Sequence, residues 1–251
     1  MHNLFDLSGR TALVTGANTG LGQAITIALA EAGADIVAAG RSDPSDTAAR
    51  VRAAGRRFHA VQADLSQPDQ LAGVVEQALA ASGRLDILVN NAGIIHRADA
   101  IDVTEADWDA VLDTNLKSLF FLSQAAARHM LANGGGKIVN VASLLSFQGG
   151  IRVPAYAASK SGVAGLTHAL ANEWAARGIN VNAIAPGYFA TNNTAALRAD
   201  PEREPQILAR IPAGRWGQPG DLAGAAVFLA SAASDYVHGV VLPVDGGWLA
   251  R

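Results

Sequence analysis

Thr11-Ala-Leu-Val-Thr15-Gly16-Ala-Asn-Thr-Gly20-Leu-Gly22, followed by Gln-Ala-Ile-Thr-Ile-Ala-Leu-Ala-Glu-Ala32, is the stretch that decides the fold. Its first five residues form an aliphatic run of strand length, and from Leu21 to Ala32 apolar side chains recur at helical spacing. A strand that passes through a glycine-rich turn straight into a helix opens a parallel α/β sheet. In such a turn glycines let the backbone approach a pyrophosphate, whose charge is met by the amides of the helix N-terminus. The candidate contacts are Gly16, Asn18, Thr19, Gly20, Leu21 and Gly22. The spacing is Gly-x-x-x-Gly-x-Gly, not the commoner Gly-x-Gly-x-x-Gly. A plain tight turn would also accept it, but the flanking strand and amphipathic helix supply the context that phosphate binding demands.

The same alternation continues outward. Strand-like runs at Asp35–Ala38, Phe58–Gln62, Leu85–Asn90, Lys137–Val141, Asn180–Ala185 and Val237–Pro243 are separated by helical segments. These fall at Asp46–Ala54, Pro68–Ser82, Glu105–Ala132, Pro154–Ala176 and Asp221–Ala232. Continuous apolar strands such as Ile87-Leu-Val89 read as buried on both faces. The expectation is a single α/β domain over residues 1–251, a doubly wound parallel sheet of about seven strands with helices on both faces, a Rossmann architecture. Pro186–Pro212 is too long for an ordinary connection and reads as a substrate loop with a short helix. The tail Val244–Arg251 carries Trp248 and Leu249 and should dock on something.

Composition narrows the function classes. The 251 residues include no cysteine, which excludes a disulfide framework, a thiolate metal site and a cysteine nucleophile and makes the cytoplasm the expected compartment. The first ten residues have no basic region followed by an apolar run, and no apolar stretch reaches membrane-spanning length, so a soluble protein without a membrane partner is expected. Net charge is -3 and the basic residues are scattered, with Arg56-Arg57 the one adjacent arginine pair, which gives no footprint for nucleic acid. The six histidines (His2, His59, His96, His129, His168, His238) show no metal-ligand spacing, so no metal is expected. Small molecules and further copies of the chain remain as partners.

Several residues carry the chemistry. Asn90-Asn91-Ala92-Gly93 ends the fourth strand, at the edge where open α/β sheets bind ligands, although Asn and Gly are also ordinary turn residues. Asp64 and Leu65 follow the third strand; Asp64 reads equally as a helix or turn cap and as a partner for an adenine amino group. Tyr156 and Lys160, four apart, project from one face of a helix, with Ser143 at the end of the fifth strand and Asn115 inside another helix. A tyrosine acting as base near neutral pH must lose about three pKa units, or roughly 4 kcal/mol, which a neighbouring ammonium and a cationic nicotinamide could supply.

Taken together, the Thr15–Gly22 motif, Asp64, Asn90–Gly93, Asn115, Ser143, Tyr156 with Lys160, and Pro186-Gly187 resemble the short-chain dehydrogenase/reductase family in order and spacing over essentially the whole chain. The resemblance implies an NAD(P)-dependent oxidoreductase. Within it Tyr156 is the general acid/base, Lys160 lowers its pKa and holds the nicotinamide ribose, Ser143 bonds the substrate oxygen, Asn115 anchors a relay water, and Thr191 holds the carboxamide. A nucleotide-sensing protein could dispense with Tyr156, Lys160, Ser143 or Asn115, and a sugar-nucleotide epimerase would need another glycine spacing and a longer C-terminal half. The segments Ala142–Pro154, Ala185–Thr194, Arg210–Gly217 and Val244–Arg251 resemble family members that act on deoxy-keto sugar acids, with relatives acting on other polyols sharing much of the pattern. A sugar-acid carboxylate calls for a cation: Arg152 is the first candidate, although it reads equally as half of a surface or subunit-interface salt bridge, and Arg97 is the second, with Gln148 beside them.

Gly40 stands where an acid would bind the adenosine ribose of NAD, and Arg41 with Ser42 could receive a 2'-phosphate, while the resemblance points to NAD and Asp43 and Asp46 to repulsion of a phosphate; the reading is NAD, with NADP open. A homotetramer is implied by the family, with Glu105–Ala132, Pro154–Ala176, the last strand and the Trp248 tail at its interfaces.

Overall fold

The computed structural model describes residues 3–251, so His2 lies outside it. Seven parallel strands, β1 (Thr11–Thr15), β2 (Asp35–Gly40), β3 (Phe58–Gln62), β4 (Ile87–Asn90), β5 (Gly136–Val141), β6 (Ile179–Pro186) and β7 (Val241–Val244), lie in the order β3-β2-β1-β4-β5-β6-β7. The order reverses between β1 and β4, which pair with Ala12 opposite Ile87 and Val14 opposite Val89. At that point the loops leaving the two strands diverge and open a crevice at the carboxyl edge of the sheet.

Because successive strand side chains point to opposite faces, each strand feeds two cores. Val14, Ile36, Ile87 and Val89 pack with Ile25 and Leu29 of α1 (Gly20–Glu31), Val51 of α2 (Ser45–Ala53) and Leu229 of α9 (Ala223–Ala230). Leu13, Val37, Leu88 and Ile138 face the other way, against Leu71 and Val74 of α3 (Pro68–Ser82), Leu122 and Met130 of α5 (Ser118–Ala132) and Leu170 and Trp174 of α6 (Pro154–Trp174). This is the doubly wound sheet read from the sequence. Leu13, Ile36 and Leu88 are fully buried, and each such side chain contributes about 1.5–3 kcal/mol.

Four elements depart from the sequence reading. The helix expected over Glu105–Ala132 is divided into α4 (Glu105–Leu112) and α5 by a wide π turn at Asp113–Lys117, where the Ser118 amide reaches back to the Asp113 carbonyl. The last strand begins at Val241, because Asn180 and Asn182 both donate to the Val237 carbonyl and Gly239 turns with φ +74° before pairing starts. The segment expected as Asp221–Ala232 starts as a 3-10 turn at Pro219–Leu222, capped by Gln218, before α9. Pro186–Pro212 holds two short helices, α7 (Ala195–Ala199) and α8 (Arg203–Arg210), where one was expected.

The tail also docks. Trp248 is 4% exposed against Leu144, Ile207, Ile211 and Trp216 of its own chain, so it asks for no partner copy. No helix among the described residues is long and apolar enough to cross a membrane, and no cluster of three or more His, Cys, Asp or Glu there could hold a metal ion.

Candidate active site

The glycine loop after β1 is shaped by backbone that few other residues could adopt. Gly16 and Gly20 sit at φ +65° and +58°, and a Cβ at Gly22 would collide with the Gly16 carbonyl oxygen and the Asn91 amide. Thr19 precedes α1 in extended conformation without a side-chain capping bond, and the first turn holds no acidic residue. The α1 amides are therefore left for an outside acceptor, which is what a pyrophosphate supplies.

Thr15 and Asn91 tie this loop to the one after β4. The Thr15 hydroxyl accepts from the Asn91 and Ala92 amides, both at 3.0 Å, and the Asn91 side chain donates to the Thr15 and Gly16 carbonyls at 2.9 and 3.1 Å. Asn91 thus acts on the loop, and Thr15, which opens the glycine motif, is the residue that ties it to the loop after β4. Asn90 points into the protein, donating to Ser123 Oγ and to Asn140 Oδ1, and Asn140 donates in turn to Thr167 of α6 at 3.0 Å.

A cleft of about 980 Å³ runs from the glycine loop across Gly93, Ser143, Tyr156 and Lys160 to Pro186, Gly187 and Thr191. Asp64, Leu65, Ala92 and Asn18 line the same cleft. Lys160 is 4% exposed and donates to the Val141 carbonyl at 2.6 Å, its ammonium 5.6 Å from the Tyr156 ring centroid. Burial lowers its pKa to about 8. Tyr156 is half-buried; burial holds its phenol above the ordinary value, against the opposing pull of the Ser143 hydroxyl and the Arg97 charge. In this chain, then, Ser143 and Arg97 are the groups that ease ionisation of Tyr156, with Lys160 as the nearby cation.

Asn115 sits in the π turn, 1% exposed. Its side-chain oxygen accepts from the Ile94 amide at 2.8 Å, and its nitrogen donates to the Ile94 carbonyl at 2.9 Å and to Ser159 Oγ at 3.2 Å. The side chain therefore clamps the segment after Gly93. Thr191 forms a capping box with Thr194, and its methyl stands near Gly20, bringing the two walls of the cleft together.

At the adenosine end a second pocket of about 380 Å³ is bounded by Gly40, Arg41 and Ser42. Arg41 is mostly exposed and faces the Asp64 carboxylate at 3.6 Å. Asp64 also accepts from the Ser66 amide and hydroxyl, the turn-capping alternative, and these bonds hold its carboxyl below the usual range. Asp43 is engaged by Ser45, and Asp46 by Gln23. The tight glycine turn, in which only Gly20 leaves room at ordinary contact distance, and the uncapped helix start fit a dinucleotide.

At the substrate end the two candidate arginines both line the cleft but have different partners. Arg152 adopts φ +63° and its guanidinium is paired with Asp99 at 3.0 Å, the surface-bridge alternative. Arg97 bonds the Asn193 carbonyl at 3.1 Å and its charge reaches Tyr156. Gln148 accepts from the Trp248 indole at 3.2 Å. Arg203 and Arg210 of α8, with Tyr188 and Trp248, also line this end and were missed. Their spacing of seven residues, which puts two side chains on one helix face, was the available signal.

Residues 16–249 match the family described as enoyl-(acyl carrier protein) reductase. The 2-dehydro-3-deoxy-D-gluconate 5-dehydrogenase of Escherichia coli (strain K12) is 60% identical over 248 residues, covering 98% of each chain. Among solved structures, a candidate 2-deoxy-D-gluconate 3-dehydrogenase from Agrobacterium tumefaciens with bound NADP is 61% identical with a TM-score of 0.94, covering all of both chains. A candidate NAD(P)-dependent gluconate 5-dehydrogenase from Beutenbergia cavernae, with NADP at low occupancy, is 56% identical with a TM-score of 0.96, covering 99% of this chain and 100% of the other. This chain belongs to the short-chain dehydrogenase/reductase family. It is an NAD(P)-dependent oxidoreductase acting on CH-OH groups.

Proposed function

We propose that the chain oxidises the C5 hydroxyl of 2-dehydro-3-deoxy-D-gluconate to the 2,5-diketone, with the reverse reduction at the same site. The observation that carries the proposal is the convergence of Ser143, Tyr156 and Lys160 in one cleft with the glycine loop. The identity to enzymes named for that substrate selects the sugar acid. A nicotinamide held in this cleft would supply the acceptor for the hydride that leaves the carbinol carbon. Gly16, Gly20, Gly22 and the α1 amides would hold the pyrophosphate, Thr191 and Lys160 the nicotinamide end.

The Ser143 hydroxyl orients the substrate oxygen, and Tyr156 as phenolate takes its proton. The Lys160 ammonium and the Arg97 guanidinium stabilise that anion, and Asn115 keeps the Ile94 segment in place beside it. Since burial opposes ionisation of Tyr156 in the bare chain, oxidation should speed up with rising pH and reduction with falling pH. NADP is the favoured cofactor in this reading, because Arg41 is the adjacent cation and Gly40 offers no carboxylate to the ribose.

The enzyme works as a single domain over residues 1–251, with residues 186–212 forming the substrate wall, in the cytoplasm where the nicotinamide pool lies. A homotetramer is proposed from the exposed Trp108 of α4, Phe121 of α5 and Tyr236 before β7; a monomer in sedimentation at micromolar concentration would overturn that part. Replacing Tyr156 with Phe keeps the ring and removes the proton-transfer group, so turnover of 2-dehydro-3-deoxy-D-gluconate should fall about 100- to 10,000-fold while NADP still binds. Near-normal turnover in this variant would refute the mechanism, and no turnover of the sugar acid by the unaltered enzyme would refute the substrate.

A further inference from the structure

Five arginines line the cleft: Arg41, Arg97, Arg152, Arg203 and Arg210. Arg41 faces Asp64 and Arg152 faces Asp99, so both already have a carboxylate. Asp200 is held below the usual carboxylate range by the backbone amides of Arg203 and Glu202 and, to a lesser degree, by the Arg203 charge, so Arg203 too feels a carboxylate. Arg97 acts on Tyr156, at the reacting group. Arg210, which like Arg97 and Arg203 forms no ion pair among the described residues, is set apart by its seat on an aromatic ring: its guanidinium carbon lies 4.2 Å from the centre of the Trp248 ring.

That indole is itself fixed. Trp248 is buried, packs against the tilted Tyr188 ring at a centre-to-centre distance of 4.7 Å, and donates its N–H to Gln148, which follows Ser143 in the chain. A guanidinium stacked on a ring keeps its in-plane N–H donors free, in the fork that matches a carboxylate. The charges of Arg203 and Arg210 both reach Tyr188, and Asp200 offsets that of Arg203.

We propose that Arg210, seated on Trp248, receives the substrate carboxylate, and that Trp248 with Gln148 positions it. The inference rests on the sugar-acid reading above. In 2-dehydro-3-deoxy-D-gluconate four bonds separate C5 from the carboxyl carbon, roughly 5 Å when extended. A carboxylate about 5 Å from the reacting carbon needs a cation of its own inside the cleft, which Arg210 also lines. The group that binds it sets which secondary alcohols are accepted, because a neutral polyol leaves the guanidinium without its anion.

The test uses full-length enzyme with saturating NADP, comparing Arg210→Met and Arg210→Lys with the unaltered chain. Both substitutions lie on an exposed helix face. The readouts are kcat and KM for 2-dehydro-3-deoxy-D-gluconate, and competitive inhibition by D-gluconate and by neutral D-glucitol. In Arg210→Met, KM for the acid and the inhibition constant of gluconate should rise about 10- to 100-fold, the loss expected for charge-assisted hydrogen bonds. The kcat should change less than about threefold, glucitol inhibition should not move, and Lys should recover part of the loss. Unchanged KM in Arg210→Met, or equal losses for gluconate and glucitol, would overturn the role of Arg210 while leaving the sugar-acid activity standing. If the unaltered enzyme fails to turn over the acid, the proposed substrate and this inference fall together.

Discussion

Replacing Lys160 with Met isolates the cost of keeping a charge inside this fold. Lys160 is 4% exposed, and burial brings its pKa to about 8 from 10.5. Holding the side chain protonated at pH 7 therefore costs about 3 kcal/mol relative to the unfolded chain. Methionine removes that cost, but it also deprives the Val141 carbonyl of the donor now at 2.6 Å, a loss of about 1–3 kcal/mol. The variant should thus be as stable as the unaltered protein at pH 7 or up to about 2 kcal/mol more stable, while losing turnover.

Between about pH 8 and 10.5 the unfolded lysine holds a proton that the folded one has released, so the stability of the unaltered protein gains with rising pH. The methionine variant has no such gain, and other titrating groups cancel in the comparison. The stability difference between the two should shift by about 2.5 kcal/mol in favour of the unaltered protein from pH 7 to pH 10. Urea denaturation of both proteins at pH 7, 8, 9 and 10, without cofactor, measures it. Parallel pH profiles would refute the claim that Lys160 is a charge held at a cost.

Three further outcomes are expected. Gly22→Ala should displace the loop and weaken NADP binding at least tenfold, with a stability loss of about 1–3 kcal/mol from overpacking, as read by fluorescence titration and thermal melting. Thr167→Val leaves the fully buried Asn140 amide without its acceptor, and should lower stability by about 1–3 kcal/mol in chemical denaturation. Arg41→Ser should raise the dissociation constant for NADP about tenfold or more and leave that for NAD within about twofold; equal effects on both would mean that Arg41 serves only its pairing with Asp64.

What the sequence determined by itself is what short-range chemistry controls. The Thr11–Ala32 stretch carries its strand, its turn and its helix in local periodicity, and the three glycines are required by backbone geometry within that same turn. Pro68–Ser82 matches α3 residue for residue because Pro68 starts it and Gly83, at φ +77°, ends it. Apolar alternation was enough for two cores on one parallel sheet.

The tertiary structure decided matters in which two candidate partners lie far apart along the chain. Arg152 and Arg97 read alike as cations until Asp99 and Asn193 came into reach of them. The long helix through Asn115 broke because that side chain satisfies both backbone groups of Ile94, a partner 21 residues away, at the cost of a widened turn. Trp248, which in sequence only asks to be buried, found Gln148 and Arg210 in its own chain. Hydrophobic patterning selects which face is buried but carries no record of which polar or aromatic neighbour will stand opposite. That choice is made by packing, and in this enzyme it shaped the substrate end of the cleft.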